Sequence, residues 1–147
     1  MQPYRLGASV GFAPGDAGLP LLGSGWSAPD LAGFVWSDGP EASLAFALAP
    51  PSRDLVLRLE VMPFVLDDRP GLQRMFAYFN GFMLGMVELP SDRQEVQFTL
   101  PREYCILRTA QLMLHLPDCI APAELGLSED RRRLGIALWR FMISIAS

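Results

Sequence analysis

Arg74-Met75-Phe76-Ala77-Tyr78-Phe79-Asn80-Gly81-Phe82-Met83-Leu84-Gly85-Met86-Val87-Glu88 is the stretch whose reading decides the fold. Asn-Gly suits a two-residue type I′ turn, because both central residues need positive φ, a region that Gly enters at no steric cost and Asn more readily than most residues. The aromatic and aliphatic residues on either side, 74–79 and 82–88, therefore read as the two strands of one antiparallel hairpin.

Outward from the hairpin, the same period of two recurs. Glu41 to Ala49 sets Leu44, Phe46 and Leu48 against Ser43, Ala45 and Ala47, and Arg53 to Val61 sets Leu55, Leu57, Leu59 and Val61 against Asp54, Val56, Arg58 and Glu60. Ser91 to Leu100 opposes Val96, Phe98 and Leu100 to Glu95, Gln97 and Thr99, and Thr109 to Leu116 opposes Ala110, Leu112, Leu114 and Leu116 to Gln111, Met113 and His115. Each is a strand with one wet face. Gly7 to Phe12, Gly18 to Leu22 and Gly33 to Ser37 are shorter apolar pieces set off by turn residues, and they read as early strands. Asp67-Asp68-Arg69-Pro70-Gly71 reads as an exposed loop. Leu134 to Ile145 is long enough for a helix, but its β-branched and aromatic content predicts a terminal strand buried on both sides, with Trp139 in the core.

Thirteen glycines and thirteen prolines in 147 residues suit many short strands joined by turns. Half the residues are hydrophobic, enough for one packed domain over 1–147. Eight to ten short strands at this spacing predict an all-β chain, an antiparallel β-sandwich of jelly-roll type. One long connection, 117–133, carries two prolines, four acids and Arg131-Arg132-Arg133. Connections above about 12 residues are uncommon unless functional or disordered, and the Leu, Ile and Pro content of this one predicts an ordered loop.

Charge and composition exclude several functions. The formal net charge is −4, and all twelve basic residues are arginine, so the basic footprint of a nucleic-acid binder is absent. Two cysteines, Cys105 and Cys119, and one histidine make no zinc pattern, and neither a metal nor an organic cofactor is expected. Leu134 to Ala146 is shorter than the roughly 18 residues of a membrane span and is interrupted by Arg140. The amino terminus lacks the charged-then-apolar layout of a signal peptide, which makes a cytoplasmic location the expectation.

Gly25-Trp26-Ser27, Val35-Trp36-Ser37-Asp38-Gly39 with Ala42 and Leu44, the Asn80-Gly81 hairpin, and Pro117 through Ser128, Asp130, Arg132, Leu134, Gly135 and Ile136 carry a resemblance that spans nearly the whole chain. Together they resemble a family of small β-sandwich domains attached to, or encoded near, bacterial glycosyltransferases of surface-polysaccharide biosynthesis. The resemblance implies a carbohydrate-linked setting, with the domain as an accessory or sugar-recognising module, and carries over no catalytic residues.

Sugar-binding sandwiches set aromatic rings beside carboxylates, amides or arginines. Trp26 and Trp36, with Ser37, Asp38 and Glu41 nearby, have that chemistry, although tryptophans in so small a domain also serve as core or loop anchors. Arg58, Glu60, Gln97, Gln111 and His115 form a second set, expected to project from one sheet as a row of hydrogen-bonding groups or as an ordinary solvated face. His115 with Asp118 offers an acid/base pair, but no nucleophile motif accompanies it and no catalysis is expected. Asp130 with Arg132 reads as a structural ion pair holding the long loop against the sheet end. Two functions follow: non-catalytic carbohydrate recognition, and a protein-interaction module that forms a homodimer or docks onto a glycosyltransferase through Phe76, Tyr78, Phe82, Met83 and Met86.

Overall fold

Asn80 and Gly81 take φ of 48° and 87°, and the hairpin they form is the tip around which the chain is wound. The computed structural model describes residues 1–65 and 71–146, so most of the loop expected at Asp67 to Gly71 lies outside the described residues. The strands are β1 (Val10–Gly11), β2 (Val35–Asp38), β3 (Glu41–Ala47), β4 (Leu55–Pro63), β5 (Gln73–Phe79), β6 (Phe82–Leu89), β7 (Gln94–Leu100), β8 (Thr109–His115) and β9 (Leu134–Ile145). Starting from the tip, β5 pairs β6, β4 pairs β7, β3 pairs β8 and β2 pairs β9, all antiparallel. Successive pairs of this nested hairpin fall in alternate sheets, giving orders β2-β9-β4-β7 and β3-β8-β5-β6. That winding is a jelly roll, with β1 added beside β9 next to β2.

The alternating strands bury the faces the sequence assigns to the core. Leu44, Phe46, Leu55, Leu57, Leu59, Val61, Leu100, Leu112 and Leu114 are fully buried between the sheets. Tyr4 joins Phe46 and Phe141 at ring separations of 5.6 and 5.2 Å. Its hydroxyl donates to the Ala8 carbonyl (2.6 Å) and accepts from the Ile143 N–H (2.7 Å), stapling the amino-terminal segment onto β9. Cys105 is buried and Cys119 half-buried, both as free thiols. Burial pushes the Cys105 thiol up to about 11.

Three expectations are corrected. Of the early apolar pieces, Gly33 to Ser37 holds most of β2, Gly7 to Phe12 is strand only at Val10–Gly11, and Gly18 to Leu22 is no strand, since Leu19–Leu21 forms a single 3-10 turn. Pro20 fixes φ and lacks an N–H for a ladder, and the Asp16 carboxylate accepts the Ala13 N–H at 3.0 Å to close the preceding turn. β9 is buried on both sides only from Leu134 to Leu138 and alternates thereafter. Trp139 is not core. A bulge against Glu60/Val61 of β4 sends both Trp139 and Arg140 outward between inward-facing Leu138 and Phe141. Half-buried there, Trp139 lies 4.8 Å from the Phe34 ring and carries the Arg93 guanidinium 3.6 Å above its centroid.

The long connection is ordered by backbone bonds. Ile120 and Leu134 bridge at its two ends, Ala123 N–H donates to the Asp130 carbonyl at 2.8 Å, and Pro122–Leu125 forms a 3-10 turn ended by Gly126 in the left-handed region. The Asp130–Arg132 pair is present at 2.7 Å with part-exposed side chains. Both partners belong to the connection, two residues apart, so the pair ties the loop to itself. The ties to the sheets are Asp38, whose carboxylate accepts the Arg133 N–H at 2.9 Å, and Asp118, which takes three bonds from Arg74.

Candidate functional site

The outward residues of β3, β8 and β5 line up in rows set by the register. Glu41 lies opposite His115, and His115 opposite Phe76; Ser43 lies opposite Met113, and Met113 opposite Tyr78. Between these rows the sheet forms a groove of about 340 Å³ lined by Glu41, Tyr78, Gly81, Gln111, Met113 and His115. The volume is at the lower end of what a small-molecule site occupies. Its apolar surface comes from the Tyr78 ring and the Met113 thioether. Its polar groups are a carboxylate, an amide and an imidazole, which together can accept and donate hydrogen bonds. The His115 ring is steadied by Phe76 at 5.7 Å between centroids.

The hairpin tip also builds the floor of the groove. Asn80 N–H donates to the Gln111 carbonyl at 2.9 Å, and Asn80 Oδ1 accepts the Gln111 N–H at 2.9 Å. Its Nδ2 donates to the carbonyls of Tyr104 (2.9 Å) and Thr109 (3.3 Å). One residue thus supplies the turn's positive φ and holds the start of β8, which carries Gln111. At the other end of the groove, Gly25, with φ of 90°, lets the preceding loop pass close to the start of β3. A side chain there would strike the Glu41 carbonyl.

The sequence-predicted residues are split among different surfaces. Glu41, Gln111 and His115 meet in the groove. Arg58, Glu60 and Gln97 do not join them: β4 and β7 belong to the other sheet, and their polar faces point out of the opposite side of the sandwich. There Arg58 Nη1 donates to Ser144 Oγ (2.7 Å) and Arg58 Nε sits 3.5 Å from Glu95, Arg93 pairs with Glu60 at 3.0 Å, and Arg140 Nε donates to Ser9 Oγ at 2.9 Å. The hollow among Ser9, Arg58, Glu60, Glu95 and Arg140 measures about 110 Å³, and each of its charged groups already has one of these partners.

Trp26 and Trp36 also stand apart from the groove lining. Trp26 Nε1 donates to the Ser43 carbonyl at 2.8 Å and its ring packs on the core, which makes it the anchor of the loop before β2. Trp36 sits on the outer face of β2, in edge contact with Phe34 (5.5 Å) and Phe64 (6.1 Å). Asp38 is engaged by the Arg133 backbone, as above. Asp118 is not a partner for His115. It receives the Arg74 N–H, Nε and Nη2, each at 2.9 Å, and the Arg74 hydrogen bonds hold its carboxyl below the usual carboxylate range. Tyr78, Gly81 and Met113 are the lining residues that sequence reasoning did not assign to a sugar site. Tyr78 was legible as part of the aromatic hairpin, but its neighbours on β8 follow only from the register.

Among the described residues no three His, Cys, Asp or Glu side chains gather within reach of one ion, and no helix is long and apolar enough to cross a membrane.

No protein-family model and no curated protein matches the sequence. Among solved structures, the chain is similar to the CBM36-1 domain of a multidomain xylanase from the hindgut metagenome of Trinervitermes trinervoides, with a TM-score of 0.51 and 13% identity over 95% of this chain and 98% of that one. It is similar to a part of the GH26-CBM35 β-(1,4)-mannanase of Podospora anserina, with a TM-score of 0.50 and 10% identity over 95% of this chain and 28% of that one. At these identities the likeness is one of fold, an antiparallel two-sheet sandwich over almost the entire chain.

Proposed function

We propose that this chain is a non-catalytic carbohydrate-recognition module whose ligand lies in the groove on the outer face of β3-β8-β5-β6. The observation that carries the reading is the meeting of Tyr78 and Met113 with Glu41, Gln111 and His115 in one groove. An apolar platform covers the C–H face of a pyranose while the flanking polar groups bond its hydroxyls. The solved structures of the same fold support it, since both are named for carbohydrate-binding modules. Glycoside hydrolysis needs two opposed carboxylates, and among the described residues Glu41 is the single carboxylate lining the groove. The sequence resemblance supplies the setting we propose: an accessory to a glycosyltransferase of bacterial surface-polysaccharide synthesis, working in the cytoplasm.

The test is a glycan array followed by titration calorimetry on any hit, with Tyr78→Ala and Trp36→Ala compared after circular dichroism shows both folded. Loss of the ring face is expected to weaken binding at least about tenfold in Tyr78→Ala. Trp36→Ala, on the opposite sheet, is expected to bind as the parent does. The reverse pattern would move the site to the β2 side.

A second reading is favoured by one observation. Met83 and Met86 on β6, opposite Tyr78 and Phe76, are 49% and 42% exposed and continue the apolar part of this face to the sheet edge, whereas exposed Phe82 lies opposite buried Phe79 and stacks on Tyr104. A silent array together with a dimer in sedimentation velocity would transfer the face to self-association, and a monomer that captures a transferase would make it a docking surface.

A further inference from the structure

We infer that the groove selects against anionic glycans and favours those bearing free amines, a statement that rests on the sugar-binding reading of the same groove. Glu41 is the charged group in its lining. The end of the groove formed by Glu41 and His115 runs on across the sheet to further acids. Phe76 faces His115, and two residues along β5 Arg74 faces Glu88 of β6 while its side chain grips Asp118. Among the described residues, three carboxylates, from Glu41, Asp118 and Glu88, thus border this end, with the guanidinium of Arg74 between Asp118 and Glu88 and that of Arg133 beside Gly39.

The Arg74 guanidinium has little left to offer a ligand. Arg74 Nε and Nη2 are both committed to Asp118 at 2.9 Å. Arg58, Arg93 and Arg140, which could otherwise neutralise a uronate or a sulfate, belong to the outer face of the other sheet, and Arg132 is held by Asp130 in the long connection. What remains in the groove beside Glu41 is the Gln111 amide, the His115 imidazole and apolar surface, which suits uncharged hydroxyls. A carboxylate or sulfate brought there meets Glu41 with no arginine among the described residues of the lining, whereas an ammonium finds a partner. For an exposed pair the effect is modest, up to about fivefold in affinity, and it shrinks as salt rises.

The experiment uses an array carrying neutral, amine-bearing and uronate- or sulfate-bearing glycans, probed at low and high salt with the parent, Glu41→Gln and Glu95→Gln. Glu95 lies on the opposite sheet, so its variant changes net charge by the same amount away from the groove. The expected result is binding of neutral and amine-bearing glycans, weaker binding of the anionic ones by up to about fivefold, and a gap that narrows in Glu41→Gln and in salt but not in Glu95→Gln. Anionic glycans bound as tightly as their neutral counterparts, or a gap that narrows equally in Glu95→Gln, would overturn the selectivity while leaving the sugar site standing. Silence across all three classes would remove the sugar reading and the selectivity with it.

Discussion

Ser37→Ala tests the reasoning about how β2 joins β9. The register between these strands breaks between Trp36 and Asp38, so the ladder cannot serve the β9 residues opposite. The Ser37 hydroxyl does so instead, accepting the N–H of Ile136 at 2.9 Å and of Gly135 at 3.2 Å in a fully buried site. Removing the oxygen leaves two buried donors without a partner, each costing roughly 1–3 kcal/mol. The Gly135 bond is the longer and weaker, and alanine spares the burial of a hydroxyl, so we expect a loss of about 3 kcal/mol. For a chain of this size that corresponds to a fall of about 6–12 °C in Tm. Thermal and urea unfolding followed by circular dichroism measure it, with Ser128→Ala as the control. Ser128 Oγ accepts the Asp130 N–H at 3.1 Å in the exposed connection, where water can replace it, and its loss should stay within about 0.5 kcal/mol. Equal losses in the two variants, or a Ser37→Ala loss below about 1 kcal/mol, would refute the claim that the hydroxyl substitutes for the ladder.

Asn80→Gly keeps the positive φ of the turn but removes the side-chain bonds to Tyr104, Thr109 and Gln111. It is expected to cost about 1–2 kcal/mol and to weaken glycan binding by loosening Gln111, whereas a variant as stable and as active as the parent would mean that turn geometry alone suffices. Asp118 gives a pH dependence. Its carboxyl is depressed in the folded chain by the Arg74 bonds, so the stability it contributes is present above the unfolded value near 4 and is lost as pH falls through the lower folded value. Asp118→Asn should therefore be less stable than the parent at pH 7 and show a flatter decline in urea midpoint between about pH 4 and pH 2.5, and parallel curves for the two proteins would dismiss the pairing.

The alternation of Leu55, Leu57, Leu59 and Val61, and of Leu44, Phe46 and Leu48, was legible because burial between two sheets imposes a period of two that no other element shares. Asn80-Gly81 was legible because few dipeptides tolerate its backbone. The pieces that misled were those where the period is broken by something local. Gly18 to Leu22 is apolar enough for a strand, but Pro20 turns it into a 3-10 turn. Leu134 to Ile145 looks uniformly apolar, yet a bulge opposite Glu60 and Val61 flips Trp139 to the outer face, and nothing in its own residues announces the extra step. Whether an aromatic residue is core depends there on one residue's worth of register.

The candidate site was harder to read for a related reason. A period of two says that Arg58, Glu60, Gln97, Gln111 and His115 all point away from the core, but a sandwich has two outer faces, and the period does not say which one each residue reaches. The nested hairpin supplies that information. Counting outward from Asn80-Gly81, β5 and β6 share one sheet, β4 and β7 the other, and β3 and β8 return to the first. Applied to the alternating segments, this alone separates Arg58, Glu60 and Gln97 from Gln111 and His115, and brings the latter two to Glu41 and Tyr78. For the tryptophans the sequence shows chemistry but not employment: Trp26 and Trp36 have the right chemistry, and the structure gives the Trp26 indole N–H to the Ser43 carbonyl and packs the Trp36 ring on Phe34 and Phe64. In a domain this small a large aromatic is drawn to such anchoring work. In the site proposed above, the ring offered to a ligand is that of Tyr78, which the register sets beside the polar side chains of a neighbouring strand.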